Sequence, residues 1–219
     1  MGKFFNLDSP LMRFMTKLAD LMILNLLFLI TCIPVITIGA AWTSLYYVTL
    51  KMVKDEESGI IRSYFRSFKQ NFRQATILWL GILVITAVLV LDLVILARID
   101  SPVAAAMNMG IGILAILGFL VLQYLFPLLA KFDAGTVQTL KNACILAVAH
   151  LPRTLLMAFC SVGAVIITLY NAYTLSLGIL IWLLIGFGIM AFSNSSILAK
   201  IFDTLTAPAS AQSVGNNSQ

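Results

Sequence analysis

The chain has 219 residues, 61% of them hydrophobic and only 11% charged, with a formal net charge of +5. A soluble domain carries about 25% charged residues to keep its surface wet, so this composition excludes a water-soluble globular protein. Three uncharged runs, 21–50, 103–130 and 154–199, exceed the roughly 20 apolar residues that take a helix across a bilayer core of about 30 Å. Helices satisfy their own backbone in lipid, so the expected class is an all-α polytopic membrane protein.

In chain order, Asp8-Ser9-Pro10 reads as a helix start, a capping oxygen followed by a proline that loses nothing at the first helical position. Residues 9–17 form an expected interfacial helix, with Leu11, Phe14, Met15 and Leu18 on one face and Arg13 and Lys17 off it. The charges at Lys3, Asp8, Arg13 and Lys17 do not fit a cleaved signal peptide. The first crossing is expected at 18–33. Pro34 then removes a backbone donor and turns Ile33 away from helical geometry. Gly39 offers a second break, and 40–53 returns as the second crossing. A hairpin with structural turn residues Pro34 and Gly39 is preferred over one kinked helix, because the basic segments on either side both belong on the cytoplasmic face.

A polar turn over 54–58 follows, in which Ser58 is a candidate helix cap. Ile61, Tyr64, Phe65, Phe68 and Phe72 then recur at helical spacing beside Arg62, Arg66, Lys69 and Arg73. This is a cationic amphipathic helix. Further crossings are expected at 75–97, 103–130, 154–170 and 175–199. Outer turns fall at 98–102 and 171–174, and a second cytoplasmic segment at 131–153. The whole is a single helical transmembrane domain, 1–203, with six crossings in three hairpins and a polar, disordered tail at 204–219. Both termini are then cytoplasmic, and 13 of the 14 Lys and Arg residues lie inside, with Arg98 alone outside. The net positive charge is thereby explained as a topology signal and requires no nucleic acid. A weak internal similarity relates 47–74 to 124–153, for which chance hydropathy is the simpler account.

No catalytic constellation, phosphate loop, metal set or cofactor motif is present, so the expectation is a non-enzyme with no cofactor. Cys32, Cys144 and Cys160 are scattered and read as small hydrophobes. His150 reads as an interfacial or capping residue. Asp92, inside the third crossing, is the candidate intramembrane polar site, because an ionisable group in lipid is costly; it could serve transport, or reach the outer interface and Arg98. Asp20 is expected to pair with Lys17. Asn25, Asn108, Gln123 and residues 193–196 are expected to hydrogen-bond between helices. Trp42, Tyr46, Tyr47, Tyr170 and Tyr173 could stack on a sugar or form interface belts. Arg62, Tyr64, Phe65, Arg66, Phe68, Lys69, Phe72 and Arg73 are the candidate surface for docking anionic lipid or a protein partner.

Five local patterns carry a resemblance to a known family. They are 5–7 before the Ser-Pro start, the turn at 32–41, Leu45-Tyr46-Tyr47, the polar stretch 54–57, and 67–72. Together they look like the YesL-like family of small bacterial membrane proteins, specifically over 4–80 and by hydropathy beyond. The resemblance implies a bacterial cytoplasmic membrane protein with an accessory role in carbohydrate ABC transport or sugar sensing, and transporter or sensor subunits as partners. It implies no catalytic or ligand residues. The alternative is a small transporter or channel built around Asp92. An ABC permease is disfavoured, because its Glu-Ala-Ala…Gly stretch is missing.

Overall fold

The computed structural model describes residues 10–56 and 59–206. The Asp8-Ser9 cap, the Ser58 cap and residues 207–219 of the expected tail lie outside the described residues, while 204–206, expected in that tail, are the last residues of α8. Every element within them is helical: α1 (Pro10–Cys32), a 3-10 turn (Val35–Thr37), α2 (Ile38–Val53), α3 (Ile60–Leu96), α4 (Pro102–Lys131), α5 (Thr136–Ala149), α6 (Leu151–Leu169), α7 (Ala172–Ile181), a π-helical segment (Trp182–Gly186) and α8 (Phe187–Thr206). By length and composition, five helices among the described residues can cross a membrane: α1, α3, α4, α6 and the run through α7, the π segment and α8.

Helix α1 extends from Pro10 through the expected interfacial segment into the expected first crossing without a break. It ends where Pro34 forbids continuation, and the Thr37 hydroxyl donates to the carbonyls of Thr31 and Pro34 to close the turn. The chain then reverses. Lys17 Nζ, in the second turn of α1, reaches Asp55 Oδ1 just past α2 at 2.6 Å, so α1 and α2 form a hairpin rather than one kinked helix. The expected partner of Lys17, Asp20, is not the one it takes. The Lys17 ammonium beside Asp55 holds that carboxyl below the usual carboxylate range.

Gly39 is not part of the turn. It lies inside α2 and is buried; a Cβ there would stand 2.6 Å from the Ala75 carbonyl oxygen and 2.7 Å from Trp79 Cβ. The glycine is needed for close approach of α2 to α3, not for backbone freedom.

With 16 residues, α2 is short, and 11 of them are buried. It packs against α1, α3, α4 and α8 and forms the axis of the core. Its small and hydroxylated residues allow this, because Thr43, Ser44 and Thr49 return their hydroxyl protons to carbonyls one turn back. Leu24, Phe28, Tyr64, Tyr124 and Leu198 of its neighbours join the same buried core, which extends to Met157 of α6 and to Ala143 and Leu146 of α5. Lys54 pairs with Asp203, which fixes the end of α2 to the end of α8. Lys17, Asp55, Lys54 and Asp203 thus gather at one pole, the charged end.

Helix α3 has 37 residues, about 55 Å at 1.5 Å per residue, so its cationic and apolar halves are one continuous helix. No Pro or Gly interrupts it between Ile60 and Leu80. The Trp79 indole donates to the carbonyl of Val35 at 2.7 Å, which puts the α1–α2 turn near mid-length of α3. Beyond Trp79, α3 runs on for about 25 Å. In that second half Val84, Ile85, Val88 and Leu91 are exposed, as are Met109, Ile113 and Leu117 of α4, Ile166 of α6 and Leu180 of α7. Apolar exposure on this scale is what lipid covers. The packed core therefore sits toward the charged end, and a thinner apolar array extends away from it.

The far turns follow the sequence. Ser101 Oγ accepts from Val103 N ahead of Pro102, and Asn171 and Thr174 exchange bonds as a capping box. At the other internal joint, the His150 carbonyl accepts from Arg153 N and Thr154 N. There α5 and α6 are separate helices, unlike the unbroken α3, so the two similar sequence units are built differently.

Candidate functional site

The sequence points first to the cationic half of α3. Helical spacing turns Ser63, Tyr64 and Ser67 into the bundle and leaves Arg62, Phe65, Arg66, Lys69, Phe72 and Arg73 exposed. Phe65 and Phe72 keep 41% and 39% of their surface, a large exposure for phenylalanines on a packed helix. Tyr64 is a correction to the expected docking set. It is fully buried, and its hydroxyl meets Thr31 Oγ1 at 2.6 Å, fastening α3 to the end of α1. Phe68 is half-buried, stacked on Tyr64 with ring centroids 6.3 Å apart and leaning on Phe72 at 5.5 Å. It supports the exposed row from beneath. The remaining six residues form one stripe of four cations and two aromatic rings on a stiff helix.

The second expected site, Asp92, lies about 20 Å along α3 beyond Trp79. It is exposed, on a helix surface shared with Val88, Leu91 and Ile95. It lies four residues from the end of α3.

The polar groups that the fold does bring together lie elsewhere. Asn194 of α8 donates to the Tyr46 hydroxyl of α2 and to Ser161 Oγ of α6, and Gln123 of α4 donates to the same serine. Thr49 and Ser195 share a 2.7 Å bond one turn away, and Tyr124 bonds Thr154 at 2.9 Å. Four helices thus share a seam of buried polar side chains. Beside it, a cavity of about 480 Å³ opens between α6 and the run of α7, the π segment and α8, lined by Cys160, Thr168, Gly178, Trp182, Met190 and Asn194 among others. Its wall is mostly apolar, with Thr168, Thr174, Ser193 and Asn194 as the polar exceptions.

Asn25 has the most exacting role. The π segment shifts the hydrogen-bond register of the last long helix, and Asn25, fully buried on α1, repairs the defect from outside. Its Nδ2 donates to the carbonyls of Trp182 and Leu183 at 3.1 and 2.8 Å, and its Oδ1 accepts from Gly188 N at 3.1 Å. Gly188 permits the approach, since a Cβ there would be 2.9 Å from the Leu21 carbonyl oxygen. The interhelical bonding expected of Asn25, Gln123, Asn194 and Ser195 is therefore present. Ser196 instead bonds back to Phe192 O within α8, and Asn108 Oδ1 is enclosed without a partner among the described residues.

The aromatic residues considered for sugar stacking do not form a platform. Trp42 and Tyr46 stack inside the bundle at 5.9 Å, against Phe28 and Phe187. Tyr170 and Tyr173 stand exposed at the far turn. Among the described residues no group of three His, Cys, Asp or Glu side chains could hold a metal ion.

Comparison with known proteins agrees with the family resemblance. Residues 21–93 match the family described as "Protein of unknown function, DUF624". The chain is 32% identical over 158 residues to "Uncharacterized protein YesL" of Bacillus subtilis (strain 168), an alignment that takes in 71% of this chain and 73% of the relative. No solved structure matches it. The chain is an all-α polytopic membrane protein that belongs to the YesL-like family.

Proposed function

We propose that this protein is a non-enzymatic accessory or scaffold protein of the bacterial cytoplasmic membrane, with both termini and the charged end on the cytoplasmic side. It presents the exposed stripe of α3 to a partner. The family resemblance points to carbohydrate ABC-transport or sugar-sensing subunits as that partner. One observation carries the reading: Phe65 and Phe72 are exposed among Arg62, Arg66, Lys69 and Arg73 on a helix held rigid by buried Tyr64 and Ser67. Lipid anchoring uses the cations, but exposed aromatic rings between arginines are the composition of interface hot spots.

Co-purification from native membranes in mild detergent tests it. The wild-type chain is expected to recover transporter or sensor subunits, and Phe65→Ser/Phe72→Ser to lose most of that recovery with its helix content unchanged. Equal recovery by both would count against the stripe. The alternative, a small transporter or channel around Asp92, asks more of the fold. Asp92 stands exposed beside Leu91 and Ile95, so a pathway there needs a second copy or another protein to close it.

A further inference from the structure

Between the end of α2 and the start of α3 lies an open hollow of about 790 Å³, lined by Tyr47, Lys51, Gly59, Arg62, Ser63 and Arg66. Among the described residues three cations line it and no carboxylate does. Asp55 is engaged by Lys17 and Asp203 by Lys54, and Glu56, exposed in the loop before Gly59, is not part of the lining. Lys51 Nζ lies 4.6 Å from the centre of the Tyr47 ring, which holds the ammonium at the wall. Gly59 serves as N-cap of α3 at φ 67° with no side-chain cap bond, so the positive end of a long helix dipole also opens here. Three like charges thus line one hollow from two helices, and an anion there would offset their repulsion.

We infer that this hollow is a binding site for a phosphate group, with Arg62 and Arg66 supplying paired N–H donors, Lys51 a point charge and the Tyr47 hydroxyl a further donor. Planar guanidinium forks match phosphate oxygens two at a time, and an ammonium adds charge without fixing geometry. The volume lies within the range of small-molecule sites, with room for a phosphate and the start of the group it esterifies. That ester is either a phospholipid headgroup at the membrane surface or a soluble phosphate compound. The site shares Arg62 and Arg66 with the docking stripe but also needs Lys51 and Tyr47 of α2, which the stripe does not contain.

Phosphorus NMR on the purified full chain tests it in two arms: inorganic phosphate added in neutral detergent, and phosphatidylcholine nanodiscs with or without phosphatidic acid. Saturable broadening of the inorganic phosphate signal assigns the site to soluble phosphates, and broadening confined to phosphatidic acid assigns it to lipid. In either case Lys51→Gln/Arg66→Gln should weaken binding on the order of tenfold or more, while Lys69→Gln/Arg73→Gln, outside the hollow, changes it little. Should the first double variant aggregate, Tyr47→Phe removes only a hydroxyl from the lining and is expected to weaken binding severalfold. No broadening in either arm overturns the inference, as does an equal loss from the two double variants, which would mean diffuse attraction. Lys51→Gln leaves partner recovery intact and Phe65→Ser/Phe72→Ser leaves phosphate binding intact, so the site and the docking stripe fail separately.

Discussion

Asn25→Leu is expected to destabilise the bundle by about 2–4 kcal/mol, read as a lower unfolding midpoint in detergent. The substitution preserves size but removes the bonds to three backbone groups, the part-buried carbonyls of Trp182 and Leu183 and the buried amide of Gly188. An unsatisfied buried donor or acceptor costs about 1–3 kcal/mol. Ordinary interhelical bonds between membrane helices contribute nearer 0.6 kcal/mol, because the separated helices find other partners. Backbone groups freed by a π segment have no such alternative. Asn108→Leu provides the contrast. Its Oδ1 is enclosed without a hydrogen bond among the described residues, so that replacement should be neutral or stabilising. Similar losses at both positions would mean that Asn25 does not sustain the π segment.

Gly39→Val is expected to cost about 1–3 kcal/mol, the range for overpacking, and to weaken the grip of α3 on the hairpin turn. The nearest atom to the new Cβ is the Ala75 carbonyl oxygen at 2.6 Å, which belongs to a helix backbone and cannot swing aside as a side-chain tip can. Relief requires moving α3, and with it the bond from Trp79 to Val35. Gly118→Ala is the control: a Cβ added there on α4 would meet nothing within 4 Å, and the helix should gain up to about 1 kcal/mol from propensity alone. Unfolding midpoints of the two variants moving in opposite directions would support the account, and a neutral Gly39→Val would contradict it.

How much of this was legible in the sequence depends on the range of the forces involved. Membrane class, the break at Pro34, and the turns at Ser101-Pro102 and Asn171 are local matters of apolar run length and capping chemistry, and they appear in the structure where expected. The burial of Tyr64 was not legible, because two adjacent aromatic residues share a helical period and only the neighbouring helix decides which one turns inward. Gly39 misleads for a related reason. A glycine after proline has the composition of a turn, but its missing Cβ is used for contact with Ala75, a residue the sequence does not place beside it. Asn25 could be read as an interhelical bonding residue, since a lone amide in an apolar run needs a partner. That its partners are backbone groups of a π segment 157 residues away is set by tertiary packing alone. Likewise, the junction between the cationic and apolar halves of α3 looks like an element boundary in hydropathy. The backbone has no breaker there, so the helix continues.

The surface of α3 is the centre of the functional account, and site-specific photo-crosslinking in living cells tests it most directly. A photoreactive residue in place of Phe72 is expected to give a discrete adduct with another membrane or membrane-associated protein, while the same residue in place of Val148, also exposed but on α5, gives none. Adducts from the Phe72 position to lipid alone, or identical protein adducts from both positions, would contradict the proposal that the cationic aromatic face of α3 is the protein's docking surface.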